Sequence, residues 1–129
     1  MSVPVYRISA KDRDLVVTLI ARRLGISVRS ILRTTRTDAQ LVAVARDGHY
    51  CQYHYYILDS LRPAHDAHHL DGRTPSGDVP WRILTLCREC HWALHNAQPE
   101  APSRTGIERA LCESQKRAPT EIRMLLDNS

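Results

Sequence analysis

The sequence predicts an α+β protein that is mostly helical. In the N-terminal third and again near the C-terminus, apolar residues recur at helical spacing behind Ser or Thr residues that are suited to cap a helix. Three short segments, residues 51–54, 67–70 and 83–95, contain three of the four cysteines and five of the seven histidines. We therefore divide the chain into a helical segment (1–47), a Cys/His-rich module (48–97), and a linker with C-terminal helices (98–129).

The helical segment is expected to contain three helices, after a possible short strand at Val3–Ile8. In the first helix, the residues that repeat on one face are Val16, Leu19, Ile20 and Leu24. In the third, Thr37 and Gln40 fit a capping box. The expected N-caps and terminating glycines are, in chain order, Ser9, Gly25, Ser27, Thr37 and Gly48.

The stretch Ala21–Leu32 looks like a helix-turn-helix, with Gly25 in the turn and Ile31 returning to the core. It is also similar, more loosely, to the DNA-binding domain of bacterial replication initiators. The resemblance implies a recognition helix from Val28 to about Thr35. The residues expected at DNA are Arg29, Ser30 and Arg33 toward the major groove, and Arg22, Arg23 and Arg36 toward phosphates. A helical bundle with a solvated basic face fits the same pattern.

Charge is distributed unevenly along the chain. Residues 1–46 hold nine Lys/Arg and three Asp/Glu, whereas residues 47–103 hold four Lys/Arg and seven Asp/Glu. The positive potential that holds a polyanion must therefore come mainly from the helical segment, while the mildly acidic module suits a cation site.

Two residue pairs in the module have the spacing of a structural zinc site. Cys51-x-x-His54 and Cys87-x-x-Cys90 each form a tight knuckle that aims two donors at one ion. Four donors close a tetrahedral shell and leave no position for water, so this zinc would stabilise the fold. The alternative, in which Cys51 is a small core residue and His54 lies at the surface, leaves the second pair unexplained.

A second set of donors remains: His68, His69, His91 and His95. On a helix, His91 and His95 lie at i and i+4 and share one face. Adjacent residues of an extended segment point to opposite sides, so only one of His68 and His69 reaches the same ion. The other is free to act as a base on water, while a divalent cation stabilises charge on a phosphate. This combination indicates a phosphodiester hydrolase.

From Asp47 to His95 the chain resembles the HNH endonucleases of the small zinc-containing type. Their pattern is a Cys/His knuckle, a histidine pair, an asparagine and a Cys-x-x-Cys-His helix. The resemblance implies a ββα-metal (His-Me finger) module. Its elements would be a first strand ending at the histidine pair, a second strand at Ile83–Leu86, and a helix at Arg88–His95.

By the same resemblance, His69 matches the general base, and His68 and His91 match ligands of the catalytic ion. His95 matches an additional histidine found in part of the family. Arg82 departs from the pattern, because it stands where the middle asparagine is expected. A guanidinium only donates hydrogen bonds, so Arg82 would hold a phosphate or donate to a loop carbonyl.

The remaining segments carry weaker signals. Tyr55–Asp66 is expected to be a connection and Asp71–Pro80 a polar loop. Arg62 and Arg73 fit phosphate contacts, or are simply solvated charges. The other predictions concern His49 and His65, expected at the surface or in loops, and Cys112, expected to pack inside a C-terminal helix.

The C-terminal part is expected to begin with a Pro-containing linker, after which helix resumes at about Gly106. The apolar face of that helix would carry Ile107, Ala110, Leu111 and Ser114. A further turn or two after Pro119 would carry Ile122, Leu125 and Leu126. This tail would pack on the N-terminal helices or pair with a second copy, so a homodimer is one option.

These observations predict a metal-dependent endonuclease of double-stranded DNA, phage or bacterial by type. The expected cofactors are a structural Zn²⁺ and a catalytic Mg²⁺ or Mn²⁺, with Ni²⁺ or Zn²⁺ also compatible with histidine ligands. Four cysteines without a signal peptide or a long apolar run predict a cytoplasmic protein of a bacterium or infected host, not bound to a membrane. The alternatives are a non-catalytic DNA-binding regulator and a zinc-stabilised module that binds proteins.

Overall fold

The computed structural model of the chain describes residues 7–48, 50–72, 74 and 76–116. Within them the architecture is α+β and mostly helical, as predicted. The helices are α1 (Ala10–Leu24), α2 (Val28–Thr34), α3 (Asp38–Arg46), α4 (Gln52–Tyr56), α5 (Arg88–His95) and α6 (Arg104–Gln115). The two strands are β1 (Asp66–His69) and β2 (Ile83–Leu86), and a short 3₁₀ helix at Pro80–Arg82 leads into β2.

The first three helices begin at the N-caps that the sequence predicts, and α1 ends at the predicted Gly25. Ser9 Oγ accepts a hydrogen bond from the backbone N–H of Asp12 at 3.2 Å, which satisfies a donor that α1 leaves unpaired. Gly25 ends α1 with a φ of 66°, a left-handed conformation that costs glycine little. Thr37 and Gln40 form the expected reciprocal capping box at the start of α3.

The sheet is an antiparallel pair in which Ala67 lies opposite Thr85 and His68 opposite Leu84. Because side chains alternate across a strand, Asp66 and His68 lie on one face of β1, and Ala67 and His69 lie on the other. The two faces of this short strand therefore have different surroundings. This alternation determines which histidine meets α5.

One hydrophobic core joins the three N-terminal helices to the sheet. It contains eleven buried residues, namely Val16, Val17, Ile20, Ala21, Ile31, Ala39, Leu41, Ala43, Val44, Ala67 and Ile83. The last two belong to β1 and β2, so the helical segment packs directly on the module. A second core lies between the sheet, the two knuckles and α6, and includes Cys51, Leu84, Leu86, Ile107 and Leu111.

A buried ion pair fastens these parts together at the predicted boundary near residue 47. The guanidinium of Arg46 contacts Asp47 at 2.8 Å, and the two side chains are 7% and 0% exposed. Arg46 also donates to the carbonyls of Pro80 and Ile83, both at 2.7 Å. Asp47 accepts from the backbone N–H of Thr85 at 2.9 Å and from the hydroxyl of Ser114. The end of α3, the start of β2 and α6 are thus held at one point.

Three predictions of local structure need correction. The expected connection at Tyr55–Asp66 begins later, because Cys51 starts a helical turn that continues to Tyr56. Helix α6 starts at Arg104 rather than at about Gly106, because Ser103 Oγ accepts from the N–H of Gly106. Cys112 is exposed rather than packed inside the helix, since the buried face of α6 passes through Ile107, Ala110, Leu111 and Ser114.

Several sequence predictions fall outside the described residues. They are most of the strand at Val3–Ile8, the histidine at position 49, the phosphate contact at Arg73, and the helical turns after Pro119. Across the described part of the chain, no helix combines the length and hydrophobicity needed to cross a bilayer.

Candidate metal centres

The two knuckles come together as one ligand cluster. Cys51, His54, Cys87 and Cys90 each offer a donor atom, and these atoms all lie within 4.8 Å of one another. The cysteines are buried and His54 is partly buried. Three sulfur donors and one imidazole are a ligand set that tetrahedral zinc prefers. The cluster could therefore hold a zinc ion, as the sequence predicts.

Local backbone structure explains why these four donors meet. Cys51 is the N-cap of α4 and Cys87 is the N-cap of α5, so each knuckle is the first turn of a helix. The backbone N–H of Cys51 donates to the carbonyl of Arg62 at 2.8 Å, which closes the loop behind the first knuckle. The hydroxyl of Ser60 lies 3.2 Å from Nδ1 of His54 and helps to fix that ring.

The three thiols share their protons unequally. Hydrogen bonds from Cys51 and Cys90 lower the pKa of the Cys87 thiol far below its usual range. The backbone N–H of Cys90 also points at Cys87 Sγ, at 3.5 Å, as expected at a helix N-terminus. The pKa of Cys51 is raised chiefly by its hydrogen bond to Cys87, and the pKa of Cys90 is raised by its hydrogen bonds to Cys51 and Cys87. A bound zinc ion would hold all three cysteines as thiolates, because the metal binds the deprotonated sulfur.

A second cluster is formed by imidazoles alone. His68 on β1 and His91 and His95 on α5 offer ring nitrogens that all lie within 4.8 Å of one another. Nε2 of His91 and Nε2 of His95 are 3.0 Å apart. Two nitrogens that bind one zinc at tetrahedral angles lie ~3.4 Å apart, so a small adjustment of these rings would admit an ion. The structure therefore brings these three predicted ligands together, and the ring nitrogens of His91 and His95 both lie within 4.8 Å of that of His68.

The surroundings of the histidine cluster favour the neutral form of His68. Burial, reinforced by the neighbouring imidazoles, lowers the pKa of His68 to about 4. Asp66 Oδ2 lies 3.5 Å from Nδ1 of His91. Asp66 is placed to accept a hydrogen bond from a proton on Nδ1 of His91. Nε2 of His91, which faces His95, is then left to bind a cation. A cavity of about 190 Å³ opens beside His68, and Arg104 and Glu108 contribute to its wall.

His69 lies on the other face of β1, away from the histidine cluster. Its side chain is only 5% exposed, and its Nε2 lies 2.8 Å from Asp78 Oδ1 in the loop between the strands. The same carboxylate oxygen accepts from the hydroxyl of Thr37 at 2.8 Å. The predicted base is thus separated from the predicted ligands, but it has the carboxylate partner that a histidine base requires for orientation.

Arg82 contacts carboxylates rather than a loop carbonyl. It donates to Asp71 through Nε at 2.5 Å and through its second terminal nitrogen at 3.1 Å. It also donates to Glu108 at 3.0 and 3.2 Å. These bonds lower the pKa values of Asp71 and Glu108. Arg82 therefore ties the start of the loop to α6, so it braces the loop through ion pairs.

Most of the side chains predicted to contact DNA are exposed. The exposed members are Arg22, Arg23, Arg29, Arg33 and Arg36, whereas Ser30 is half-buried. The hydroxyl of Ser30 is 3.1 Å from that of Ser27. Arg62 forms an ion pair with Glu89. His65, which follows the connection, is half-buried with its Nδ1 2.9 Å from the hydroxyl of Thr34, and burial lowers its pKa.

Sequence reasoning missed three residues of the site: Asp66, Asp78 and Thr37. Asp66 precedes His68 by two positions, so strand alternation alone would have placed it on the same face of β1 as His68. Asp78 carried no such signal, because its contact with His69 depends on how the loop between the strands folds back. Thr37 was recognised as a helix cap, but its second contact spans 41 residues.

Comparison of the chain with protein-family models, curated proteins and solved structures found no match. The geometry of the two clusters and of the His69–Asp78 pair is therefore the basis for inferring function.

Proposed function

We propose that the protein is a metal-dependent DNA endonuclease of the HNH type, in which His69 activates the attacking water. The observation that carries this proposal is the convergence of His68, His91 and His95 within 4.8 Å on a strand and an adjacent helix. All three donors come from side chains that structural zinc in the first cluster does not use. A second cation site with few protein ligands retains positions for water and phosphate, as catalysis needs.

The reaction would be hydrolysis of a phosphodiester. His69 takes one proton from water, the water oxygen bonds to phosphorus, and the bond from phosphorus to one sugar oxygen breaks. That leaving oxygen acquires a proton from solvent. A divalent cation on the histidine cluster would stabilise the negative charge that develops on the phosphate. Arg104, which lines the cavity beside His68, adds a fixed positive charge near this position.

The zinc cluster has a separate role in this proposal. Its four donors complete a coordination shell, so it would stabilise the module without touching the substrate. Each knuckle lies at the start of a helix. Helix α5 has Cys87 and Cys90 at its N-terminal end and His91 and His95 along its length. Zinc binding would therefore fix the helix that presents the catalytic ligands.

Duplex DNA would bind through the helical segment. Arg29 and Arg33 on α2 are exposed, as are Arg22, Arg23 and Arg36, which lie close to α2 in the sequence. In this proposal α1 and α2 form a helix-turn-helix with its turn at Gly25. The neighbouring hydrogen bond between Thr34 and His65 connects the end of α2 to the chain that enters β1.

The test is incubation of zinc-loaded protein with supercoiled plasmid, without added ion and with Mg²⁺, Mn²⁺ or Ni²⁺. We expect nicked or linear product only when a divalent ion is added. His68→Ala and His69→Ala should each abolish cleavage, and His69→Ala should leave DNA affinity nearly unchanged. Protein that binds duplex DNA but leaves the plasmid supercoiled with every ion would contradict the enzyme proposal.

A second candidate is a non-catalytic DNA-binding regulator, and one observation favours it. The side chain of His69 is 5% exposed and lies on the strand face opposite the histidine cluster. In this reading the bonds from His69 and Thr37 to Asp78 only fasten the loop to α3. The plasmid assay separates the two candidates, because the regulator binds duplex DNA without cutting it. Absence of any duplex binding at low salt would instead favour a protein-binding zinc module.

A further inference from the structure

We propose that Asp78 and Thr37 are positioning residues for His69, holding its imidazole in one tautomer and one orientation. This inference rests on the function proposed above. It assigns a role to the loop carboxylate of Asp78 and to the N-cap Thr37. That role does not follow from the knuckle spacing or from the histidine pair.

The hydrogen-bond pattern determines the tautomer. Asp78 Oδ1 lies 2.8 Å from Nε2 of His69 and 2.8 Å from Oγ1 of Thr37. An ionised carboxylate only accepts hydrogen bonds, so both partners must donate to it. Nε2 of His69 therefore carries the proton, and Nδ1 is the basic nitrogen. The water that is activated must approach His69 from its Nδ1 side.

The same carboxylate stabilises the charged form of the base. When Nδ1 takes a proton from water, His69 becomes an imidazolium whose Nε2–H still points at Asp78. A carboxylate in this position holds the ring and offsets its new positive charge, as in other histidine–carboxylate pairs that activate an attacking oxygen. His69 is almost fully buried and Asp78 is 23% exposed, so water screens the interaction only partly.

Thr37 connects the base to the DNA-binding side of the molecule. It is the N-cap of α3, and its hydroxyl both accepts from the N–H of Gln40 at 3.2 Å and donates to Asp78. It directly follows Arg36, an exposed residue expected to contact phosphate. A proposed phosphate contact and the group that orients the Asp78 carboxylate are therefore neighbours in the chain. Thr37 would fix the position of Asp78 relative to bound DNA.

The test compares steady-state cleavage of a duplex oligonucleotide, with Mn²⁺, by wild-type protein and four variants, all loaded with zinc. Asp78→Asn keeps the shape of the side chain but removes its charge. Thr37→Val removes the hydroxyl, and Thr37→Ser restores it. Ser103→Ala removes the N-cap of α6, where Ser103 Oγ accepts from the N–H of Gly106, and serves as a matched control for cap loss.

We expect Asp78→Asn to lower kcat roughly 10²-fold with little change in KM, in the range typical of impaired general-base catalysis. Thr37→Val should lower kcat by a smaller factor, Thr37→Ser should recover it, and Ser103→Ala should leave it unchanged. The ¹⁵N shifts of the His69 ring should report the Nε2–H tautomer in the wild type and a mixture in Asp78→Asn. These shifts can be read without any cleavage.

Two results would overturn the inference while leaving the proposed function intact. One is a wild type that cuts and an Asp78→Asn variant with the same kcat. The other is an Nδ1–H tautomer of His69 in the wild type. A wild type that cuts no duplex with any ion would overturn the proposed function and this inference together, so the two failures are distinguishable.

Discussion

Asp66 and His91 form a carboxylate–imidazole contact that crosses from β1 to α5, with Asp66 Oδ2 3.5 Å from Nδ1 of the ring. The opposite nitrogen of His91 faces His95 at 3.0 Å. The carboxylate is therefore placed to orient His91, a proposed metal ligand. This relationship links the strand that carries His68 to the helix that carries the other two ligands.

Removing this carboxylate should weaken metal binding at the histidine cluster. Asp66→Ala is expected to lower the affinity for Ni²⁺ or Mn²⁺ about 10- to 100-fold, as loss of an orienting partner usually does. Calorimetric titration of zinc-loaded protein measures this affinity. Glu100→Ala, which removes an exposed carboxylate elsewhere, is the matched control. Equal affinity in wild type and Asp66→Ala would mean that the contact does not orient the ligand.

Loss of a knuckle thiol should release zinc and destabilise the protein. Cys87→Ser removes the thiolate whose pKa is lowest, and we expect zinc content to fall and stability to drop by about 3 kcal/mol or more. Cys112→Ser, at an exposed cysteine, should change neither zinc content nor stability. Metal analysis and thermal melting test both variants. Full zinc content and an unchanged melting curve for Cys87→Ser would exclude the assigned ligand set.

The buried pair of Arg46 and Asp47 should be far more sensitive than an exposed pair. Asp47→Ala removes one partner of a buried ion pair, which typically costs about 3–5 kcal/mol. Glu89→Gln breaks the exposed pair with Arg62 and should cost less than about 1 kcal/mol. Urea denaturation at one zinc concentration compares them. Similar losses for both variants would show that the buried network does not hold the two parts together.

The basic face of α2 should control DNA affinity. Arg29→Ala combined with Arg33→Ala is expected to weaken duplex binding and to flatten its dependence on salt, because fewer counterions are released. Arg109→Ala, at an exposed arginine of α6, supplies the control for a change in net charge. Fluorescence anisotropy at several salt concentrations measures both effects. Unchanged affinity in the double variant would assign α2 to the scaffold alone.

The histidine cluster also predicts a pH dependence in the absence of its cation. Burial and neighbouring imidazoles lower the pKa of His68 from 6.5 to about 4. Between these values the unfolded chain binds more protons at this position than the folded protein does. The free energy of unfolding should therefore fall as the pH is lowered from about 6.5 toward 4. NMR titration of zinc-loaded protein should give a midpoint for His68 near pH 4, and a midpoint near 6.5 would contradict the burial.

Short-range patterns account for most of what the sequence predicted. The caps at Ser9, Ser27 and Thr37 act within one helical turn, so a few neighbouring letters contain the whole interaction. The two knuckles could also be predicted from sequence, because the spacing of their ligands is that of two side chains directed at one point by the first turn of a helix. Strand alternation likewise anticipated that His68 and His69 would face different surroundings.

The contacts that escaped prediction join residues far apart in the chain. Arg82 was expected near a phosphate or a carbonyl, yet one of its carboxylate partners, Glu108, lies on α6. Asp78 meets His69 and Thr37 only because the loop between the strands folds against the start of α3. Cys112 was misplaced because the exact rotation of α6 about its axis decides which side chains are covered. Such contacts depend on the packed structure, and no local pattern encodes them.

We propose that the histidine cluster holds a cation distinct from the zinc ion proposed at the knuckles. Anomalous diffraction from crystals soaked in Mn²⁺ tests it most directly. We predict a zinc peak among Cys51, His54, Cys87 and Cys90, and a separate manganese peak among His68, His91 and His95. A zinc peak alone at saturating Mn²⁺, with the three imidazoles turned away from one another, would contradict the account.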